Sequence, residues 1–498
     1  MSWTASFDYA TSFVGVSTFI FCFYMMKRPK GFPPGPYGLP IVGYIPFIGI
    51  NPGETLRQLK EKYGSVMSVQ MGRDDWVILN DFDTINEALV KQGDKFSGRP
   101  ENYVFDLITT GRALVTRDFG SIWKELHKFG LMTLKGFGVG KKGMEANVIE
   151  ETPFLIENLT SKNGQRLHAK LFLAVSNIIC RVILGSRFEY NDKKFNHMLE
   201  IVQKYAENTT HSKLLTALSL APLLRFFPPF KGVAKITKDD SNSMLGYLRE
   251  IVEKHESNFD ENDIHDFIDA FLVEMKRSKT NDKSFNKQML IQFIRDLFDA
   301  GSETTSTTLA WALLCFGNYP ERQERIADEI EEISYGNLFI EGEDGVPSMK
   351  HQNEMPYTCA FIHELMRHRT LAPLSVYHKT NEEATLDGYT IPKNTTVAPN
   401  LWAVHFDPKH FENPEEFRPE RFLDRDGKFV KSNHVIPFSI GPRSCLGIQL
   451  AKMEIFIFLT GIVQKLKILP DPKKPLPSFH DGGFSLVTYQ PRDFEVIF

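Results

Sequence analysis

The sequence predicts a mainly α-helical protein with small β-sheets, a single large domain behind an N-terminal membrane anchor. Helical apolar periodicity runs from about Trp123 to Met366, with breaks at Pro228-Pro229 and Pro320. Strand-like pieces are short: Val66 to Met71, Trp76 to Leu79, a few between Ala384 and Val397, and others near the C-terminus. The 498 residues contain no internal repeat, low-complexity tract or second linker that would divide the domain. Composition is globular, 42% hydrophobic and 24% charged, and 41 phenylalanines predict wide apolar packing or an apolar pocket. A net charge of −4 argues against general nucleic-acid binding.

The elements follow in order. Tyr9 to Met26 carries no charge, spans roughly 27 Å at helical rise, and is followed at once by Lys27, Arg28 and Lys30. Positive charge after the apolar run, with none before it, predicts a single-pass signal anchor over residues 1–28 with the rest of the chain cytoplasmic. The sequons at Asn158, Asn208 and Asn394 then lie on the side that is not glycosylated. Residues 29–45 include "GFPPGPYGLP", whose prolines predict a stiff extended hinge, and residues 46–498 form the catalytic domain. Its first strands are joined by a Gly72-Arg73-Asp74-Asp75 turn. A long helix is expected from about Gln288 to Tyr319, closed by Pro320. "LAPLLRFFPPF", Leu220 to Phe230, suits equally a second contact with the membrane surface and a loop with buried phenylalanines.

Five cysteines, without a CxxC pair, indicate reduced thiols in a cytosol-facing protein. Cys445 stands apart from the others, which sit in apolar runs. It lies in "PFSIGPRSCLG", Pro437 to Gly447, where Phe438, Gly441, Arg443, Cys445 and Gly447 are spaced F-x-x-G-x-R-x-C-x-G. Chance produces such a run in a chain of this length on the order of once in ten thousand. Glycines at 441 and 447 let the backbone turn and approach a flat ligand. A helical segment, "IQLAKMEIFIFLTGIVQKL", begins next, so its positive end favours the thiolate, a candidate nucleophile or metal ligand. "IHELMRHR", residues 362 to 369, nearly spells a zinc helix, but its second histidine, His368, stands at i+5 from His363 rather than i+4.

With these motifs the sequence resembles the cytochrome P-450 superfamily, whose thiolate-haem loop has this spacing. "AGSETTS" (Ala300 to Ser306), the pair Glu364 and Arg367, "FRPERF" (Phe417 to Phe422) and "WKELHKF" (Trp123 to Phe129) stand in family order, and the proline-rich hinge matches as well. The likeness covers nearly the whole chain and is greatest to the microsomal family 2 and steroid-hydroxylase branch. It implies the cytochrome P-450 fold and a haem b whose iron takes Cys445 as axial ligand. Trp123, His127, His378 and Arg443 are implied as propionate contacts, although relatives usually carry arginine at position 127. Glu303 and Thr304 are implied as the acid-alcohol pair that supplies protons during oxygen activation. Glu364, Arg367 and Arg421 are implied as a buried triad supporting the cysteine loop, and Val115, Phe298, Ala300, Ala372, Val376 and Phe484 as a substrate pocket.

The activity so implied is a monooxygenase that hydroxylates or epoxidises a small lipophilic substrate, such as a fatty acid, steroid or xenobiotic, with O2. Electrons would come from NADPH-cytochrome P-450 reductase, with cytochrome b5 as a further partner, because the chain has no GxGxxG fingerprint of its own. Location at the endoplasmic reticulum membrane, in contact with lipid, follows from the same likeness. A basic face of Lys124, Lys128, Lys135, Lys141 and Lys142 flanks the Trp123 helix and would complement an acidic reductase. Two other readings compete: a reductase-independent haem-thiolate isomerase that rearranges hydroperoxides, and a non-catalytic haem carrier. Neither has use for the Glu303-Thr304 pair.

Overall fold

A computed structural model describes residues 12, 13, 17 and 28–498, except 41, 110–112, 139–141, 162–165, 207–209, 279–282 and 336–344. The expected anchor, apart from those isolated positions, lies outside the described residues, as do Asn208 and Lys141.

Helix α1 (Pro52–Tyr63) starts on Asn51, whose side chain accepts the Glu54 N–H at 3.3 Å. Strands β1 (Val66–Met71) and β2 (Asp74–Leu79) form an antiparallel hairpin in which Met71 pairs with Asp74, so the turn is Gly72-Arg73 alone. The sequence suggested a four-residue turn; Gly72 at φ +63° makes the tighter one accessible.

The helical body follows. Helix α2 (Ser121–Gly136) buries Trp123, Leu126, Gly130 and Leu134 and exposes Lys124, Lys128 and Lys135, the spacing of a one-sided helix. Helix α3 (Lys142–Thr160) precedes α4 (Leu167–Leu184). Among the described residues α4 is the one helix long and apolar enough to cross a membrane, but 78% of its apolar window lies inside the protein, which makes it a core helix. Helix α5 (Phe230–Asn258) begins directly after the Pro228-Pro229 break.

Helix α6 (Lys287–Asn318) is the long helix anticipated from the sequence, capped by Asn286 accepting the Met289 N–H at 2.9 Å. Pro320 does more than stop it: it is the first residue of α7 (Pro320–Tyr335). Helices α6 and α4 meet closely at Gly301, where a Cβ would lie 2.4 Å from Ile179 Cδ1.

Helix α8 (Pro356–His368) carries the "IHELMRH" motif. Strands β3 (His378–Lys379) and β4 (Thr396–Pro399) complete a sheet of order β1-β2-β4-β3, with β2 and β4 parallel. Helix α9 (Leu401–His405), helix α10 (Ile448–Lys465) and the hairpin of β5 (Gly482–Ser485) and β6 (Thr488–Pro491) follow. The main core runs through α2, α4, α5, α6 and α10. Part of the phenylalanine content is spent here: Phe129 meets Phe267 and Phe271 edge-on at 5.3 and 5.2 Å.

Candidate functional site

Glu364 and Arg367 sit one turn apart on α8 with fully buried side chains. Arg367 donates Nε to Glu364 Oε2 at 2.7 Å and Nη2 to Oε1 at 2.8 Å, a bidentate pair. Arg421 adds Nε at 3.2 Å, and the Arg418 backbone N–H donates to Oε1 at 2.8 Å. The triad then reaches the cysteine loop through His405. Arg367 Nη1 donates to the His405 carbonyl at 2.6 Å, and His405 Nε2 accepts the Ile436 N–H at 2.8 Å. With Nε2 accepting, the ring proton is on Nδ1, which donates to Thr370 Oγ1 at 2.6 Å. Burial, then the Arg367 charge, holds this imidazole neutral by pushing its pKa well below the usual value. No zinc helix exists here: His363 Nε2 accepts the Ser432 N–H at 3.3 Å, while His368 Nε2 donates to the Glu415 carbonyl at 2.8 Å.

Ile436 leads into the Pro437 to Gly447 loop. Gly441 has φ +83°, and a Cβ there would lie 2.0 Å from the Leu89 carbonyl oxygen, so only glycine fits. Gly447 differs from expectation: its φ is −90°, and a Cβ would touch only Cys445 Sγ at 3.9 Å, so its backbone does not demand glycine. Cys445 donates its N–H to the Phe438 carbonyl at 3.0 Å and presents an accessible thiol. The thiol itself corrects the sequence reading. Burial by the surrounding loop raises its pKa and outweighs the Gly447 N–H that lowers it, so the helix terminus alone does not produce a thiolate.

Around this loop lies a strongly electropositive interior. Arg443 donates Nε to the Ser97 carbonyl at 2.9 Å, Nη1 to the Leu114 carbonyl at 3.2 Å, and Nη2 to the Arg117 carbonyl. Its guanidinium lies 4.2 Å from the Trp123 ring centre, and His127 stacks on the same indole at 4.5 Å. Arg99, in "KFSGRP", also enters: Nε donates to the Val115 carbonyl and Nη1 to the Tyr377 carbonyl, each at 3.0 Å. Burial, then repulsion by Arg99, lowers the Arg443 pKa to about 8; burial lowers that of Arg99 to about 10, with Asp118 opposing in both cases. His378 donates Nδ1–H to the Phe96 carbonyl at 2.8 Å and is held neutral by burial and the two arginines. Burial and Arg443 lower His127 in the same sense. The Trp123 Nε1–H is buried with no partner among the described residues. Two buried guanidiniums bonded to carbonyls and an orphaned indole donor suit a bound anion, so the residues fit a cofactor with acidic arms. Sequence reasoning missed Arg99, since a lone arginine before a proline has no spacing that distinguishes it.

The facing helix is α6. In its middle, Leu297, Ala300, Gly301 and Thr304 retain accessible surface at i, i+3, i+4, i+7, one continuous stripe, with Asp299 partly exposed outside it. Asp296 Oδ2 accepts the N–H groups of Leu114 and Val115, each at 2.9 Å, so one loop is gripped by both Arg443 and α6. Burial raises the Asp296 pKa to about 6 against those two donors. Thr304 Oγ1 donates to the Ala300 carbonyl at 2.7 Å. Glu303 turns elsewhere: its Oε1 accepts Thr307 Oγ1–H at 3.0 Å and Gln490 Nε2–H at 2.5 Å, and Thr307 contacts His168 Nε2 at 3.1 Å. The acid and alcohol adjacent in sequence thus point to different sides of α6.

Of the anticipated pocket residues, Val115, Ala372, Val376 and Phe484 are half-buried and Ala300 is exposed. Val115 and Val376 are drawn together, since Arg99 bonds the carbonyls of both. Phe298 departs from them: it is enclosed in the main core, at 2% exposure, and lies off the accessible stripe.

The family model for cytochrome P-450 matches residues 33–498. The chain is 36% identical over 503 residues to cytochrome P-450 2U1 of Homo sapiens, covering 94% of this chain and 89% of that protein. It is 38% identical over 472 residues to cytochrome P-450 2J5 of Mus musculus, with 92% and 90% covered, and 36% identical over 479 residues to cytochrome P-450 2H1 of Gallus gallus, with 94% and 93% covered.

Proposed function

The chain belongs to the cytochrome P-450 family of haem-iron monooxygenases, and from that premise we propose that it hydroxylates or epoxidises a lipophilic substrate, a fatty acid, steroid or xenobiotic, with electrons from NADPH-cytochrome P-450 reductase and cytochrome b5. The carrying observation is the accessible Cys445 thiol beside the buried donors Arg443, Arg99 and Trp123 Nε1–H. When bound, haem b supplies the electron-accepting and oxygen-activating chemistry through its iron.

This chain's residues do the rest. Cys445 Sγ would hold the haem iron, whose positive charge would favour loss of the thiol proton. Arg443, Arg99 and Trp123 Nε1–H would hold the propionates, and His378 would join them by carrying a proton on Nε2. His127 supports the Trp123 ring face. Glu364, Arg367 and Arg421 hold the loop through His405 and Ile436. Thr304 Oγ1, bonded to the Ala300 carbonyl, is the alcohol that holds and passes a proton, and Glu303, bonded to Thr307 and Gln490 in this structure, is the acid that would supply it after turning towards Thr304. Val115, Ala300, Ala372, Val376 and Phe484 line an apolar pocket that excludes water.

For the domain division we infer an anchor over residues 1–28, a hinge over 29–45 and the haem domain over 46–498, with the chain on the cytoplasmic face of the endoplasmic reticulum membrane. Exposed apolar side chains support the membrane contact: Tyr37 and Leu39 in the hinge, Phe47 and Ile50 just beyond it, and Leu223, Phe226 and Phe227 in the Leu220 to Phe230 segment. Leu220 packs into the cluster that includes Tyr44 and Ile45, which brings the two groups together.

The test is a reduced carbon monoxide difference spectrum, followed by NADPH and O2 consumption with added reductase across a lipophile panel. A thiolate-type spectrum with substrate-dependent O2 uptake is expected; that spectrum with no O2 uptake for any lipophile would overturn the monooxygenase reading.

A further inference from the structure

Between α8, the start of α10 and the chain that leads into the Cys445 loop lies a cavity of about 350 Å³. Its walls are largely apolar: Met366 of α8, Val435, Ile436, Phe438 and Ile440 of the leading chain, and Ile448, the first residue of α10. Small-molecule sites occupy roughly 300 to 1,000 Å³ and combine such walls with a few polar groups. Here the charged groups share one sign. Lys431 and Lys452 line the cavity, and no acidic residue does. Neither ammonium has a hydrogen bond or an ion pair among the described residues, whereas the half-buried lysines Lys60 and Lys379 each reach an aspartate, at 3.1 and 2.9 Å. Lys452 is half-buried, with Nζ 6.0 Å from the Phe438 ring centre, and burial together with the Lys431 charge lowers its pKa. Ser439 stands in the same wall at φ +58°, its Oγ buried and unpaired among the described residues. The first turn of α10 has no side-chain cap and no acid, so its positive end is uncompensated as well.

We propose that this cavity binds a free amphiphilic anion, whose single charged head bridges Lys431 and Lys452 while its apolar body lies against Met366, Phe438 and Ile448. Neither Cys445 nor any residue of α6 lines the cavity, so its ligand is not the molecule that is oxidised. Charge selects the head: a neutral or cationic lipophile would leave both ammoniums unpaired beside an apolar wall. Shape selects the size, since a flat acidic protein surface would meet the exposed Lys431 but leave the apolar volume unfilled. Occupancy acts on the loop. The leading chain is held to α8 by the Ser432 N–H, which donates to His363 Nε2 at 3.3 Å, and to α9 by the Ile436 N–H, which donates to His405 Nε2 at 2.8 Å. A head shared by Lys431 and Lys452 adds a tie from this chain to α10, and so stabilises the approach to Cys445.

The experiment uses the full-chain, haem-loaded ferric protein without reductase, with imidazole on the iron to block the oxidation site. The probes are octanoate, 1-octanol, which has the tail alone, and acetate, which has the head alone. Lysine acetylation mapped by mass spectrometry and amide hydrogen exchange over residues 431–440 are followed as each probe is titrated. Octanoate alone should protect Lys431 and Lys452 and slow exchange in that segment. Its affinity, read by exchange, should fall roughly five- to tenfold in K452Q and roughly two- to threefold in K431Q, whose side chain is the more exposed. Equal protection by 1-octanol would show a crevice that does not read charge, and equal protection by acetate would show simple screening of the lysines; either overturns the proposal. So does octanoate affinity retained in the K431Q/K452Q double variant. If wild type does not bind octanoate and the double variant changes only the salt dependence of reductase-supported turnover, the two lysines belong to a protein-docking rim and the proposal falls. Should K452Q lose haem, lysine protection in wild type and affinity in K431Q carry the test.

Discussion

The α8 triad and the hydroxyl-rich middle of α6 both shape the surroundings of Cys445, yet they are held by opposite means. Around Glu364 the three side chains of the triad are charged, shielded from solvent and multiply bonded, and the neutral His405 joins them through its carbonyl. In α6 the bonds of Thr304, Ser306 and Thr308 are neutral and local, made to carbonyls of the preceding turn. A charged network in low dielectric cannot lose one member without stranding the others. A back-bonded hydroxyl can be removed at small cost, since it bonds a carbonyl already paired in the helix. The first arrangement suits a support that must never move, the second a surface whose position is adjusted by fractions of an ångström.

The largest expected effect therefore belongs to the triad. Glu364→Ala or Arg367→Ala leaves an uncompensated buried charge, at a cost of about 3 to 5 kcal/mol, and we expect haem content near zero for either; normal haem per protein, measured by pyridine haemochrome, would remove the contrast. Next comes Glu454, a carboxyl in α10 at 1% exposure, whose sign can be worked out. Its folded pKa of about 8 lies above the ordinary 4.5, so the neutral acid is tolerated at low pH and stability is lost as pH rises through that window. Wild type should lose a few kcal/mol relative to Glu454→Gln between about pH 5 and pH 8. Parallel denaturant midpoints of the two across that range would show that the acid is not held neutral. Smaller in stability is Thr304→Ala, expected within about 1 kcal/mol of wild type by hydrogen-bond arithmetic, but diverting reducing equivalents to peroxide. Tight coupling retained in that variant takes Thr304 out of its proposed role.

Much of this was legible in the sequence where the determinants are local. Helix α6 was expected from Gln288 to Tyr319 and runs Lys287–Asn318, because an asparagine cap and a following proline are readable signals. Glu364 and Arg367 at i, i+3 could be paired by spacing alone, and Gly441 could be singled out as a turn residue. What stayed hidden depends on partners far along the chain. Arg99 meets Val376 and Tyr377, and Glu303 is drawn to Gln490 and away from the Thr304 side. Phe298 failed as a pocket residue for a related reason: helical position tells which residues share a face, but the neighbours that close over a face come from other helices. The Cys445 thiol likewise needed the burial imposed by its folded loop before the direction of its shift could be known.

The smallest effect concerns the outer face of α2, whose inner face carries Trp123. Lys124 and Lys128 are exposed there, and the side chain of Lys142 lies outside the described residues. If an acidic reductase docks on this face, neutralising Lys124, Lys128 and Lys142 together should slow reductase-supported turnover by up to about tenfold at low salt and flatten its salt dependence, since rim charges act chiefly on encounter. The lysines are not equivalent. Lys124 Nζ sits 4.6 Å from the Phe119 ring centre, and Phe119 lies 5.2 Å from Trp123, so its loss also disturbs the propionate side by about 0.5 to 1 kcal/mol. Lys128 has no such contact among the described residues, which makes Lys128→Gln the cleaner probe: it should lower the salt slope while leaving haem retention unchanged. A triple variant with wild-type rate and wild-type salt dependence would place docking elsewhere and leave α2 with one functional face, the inner one.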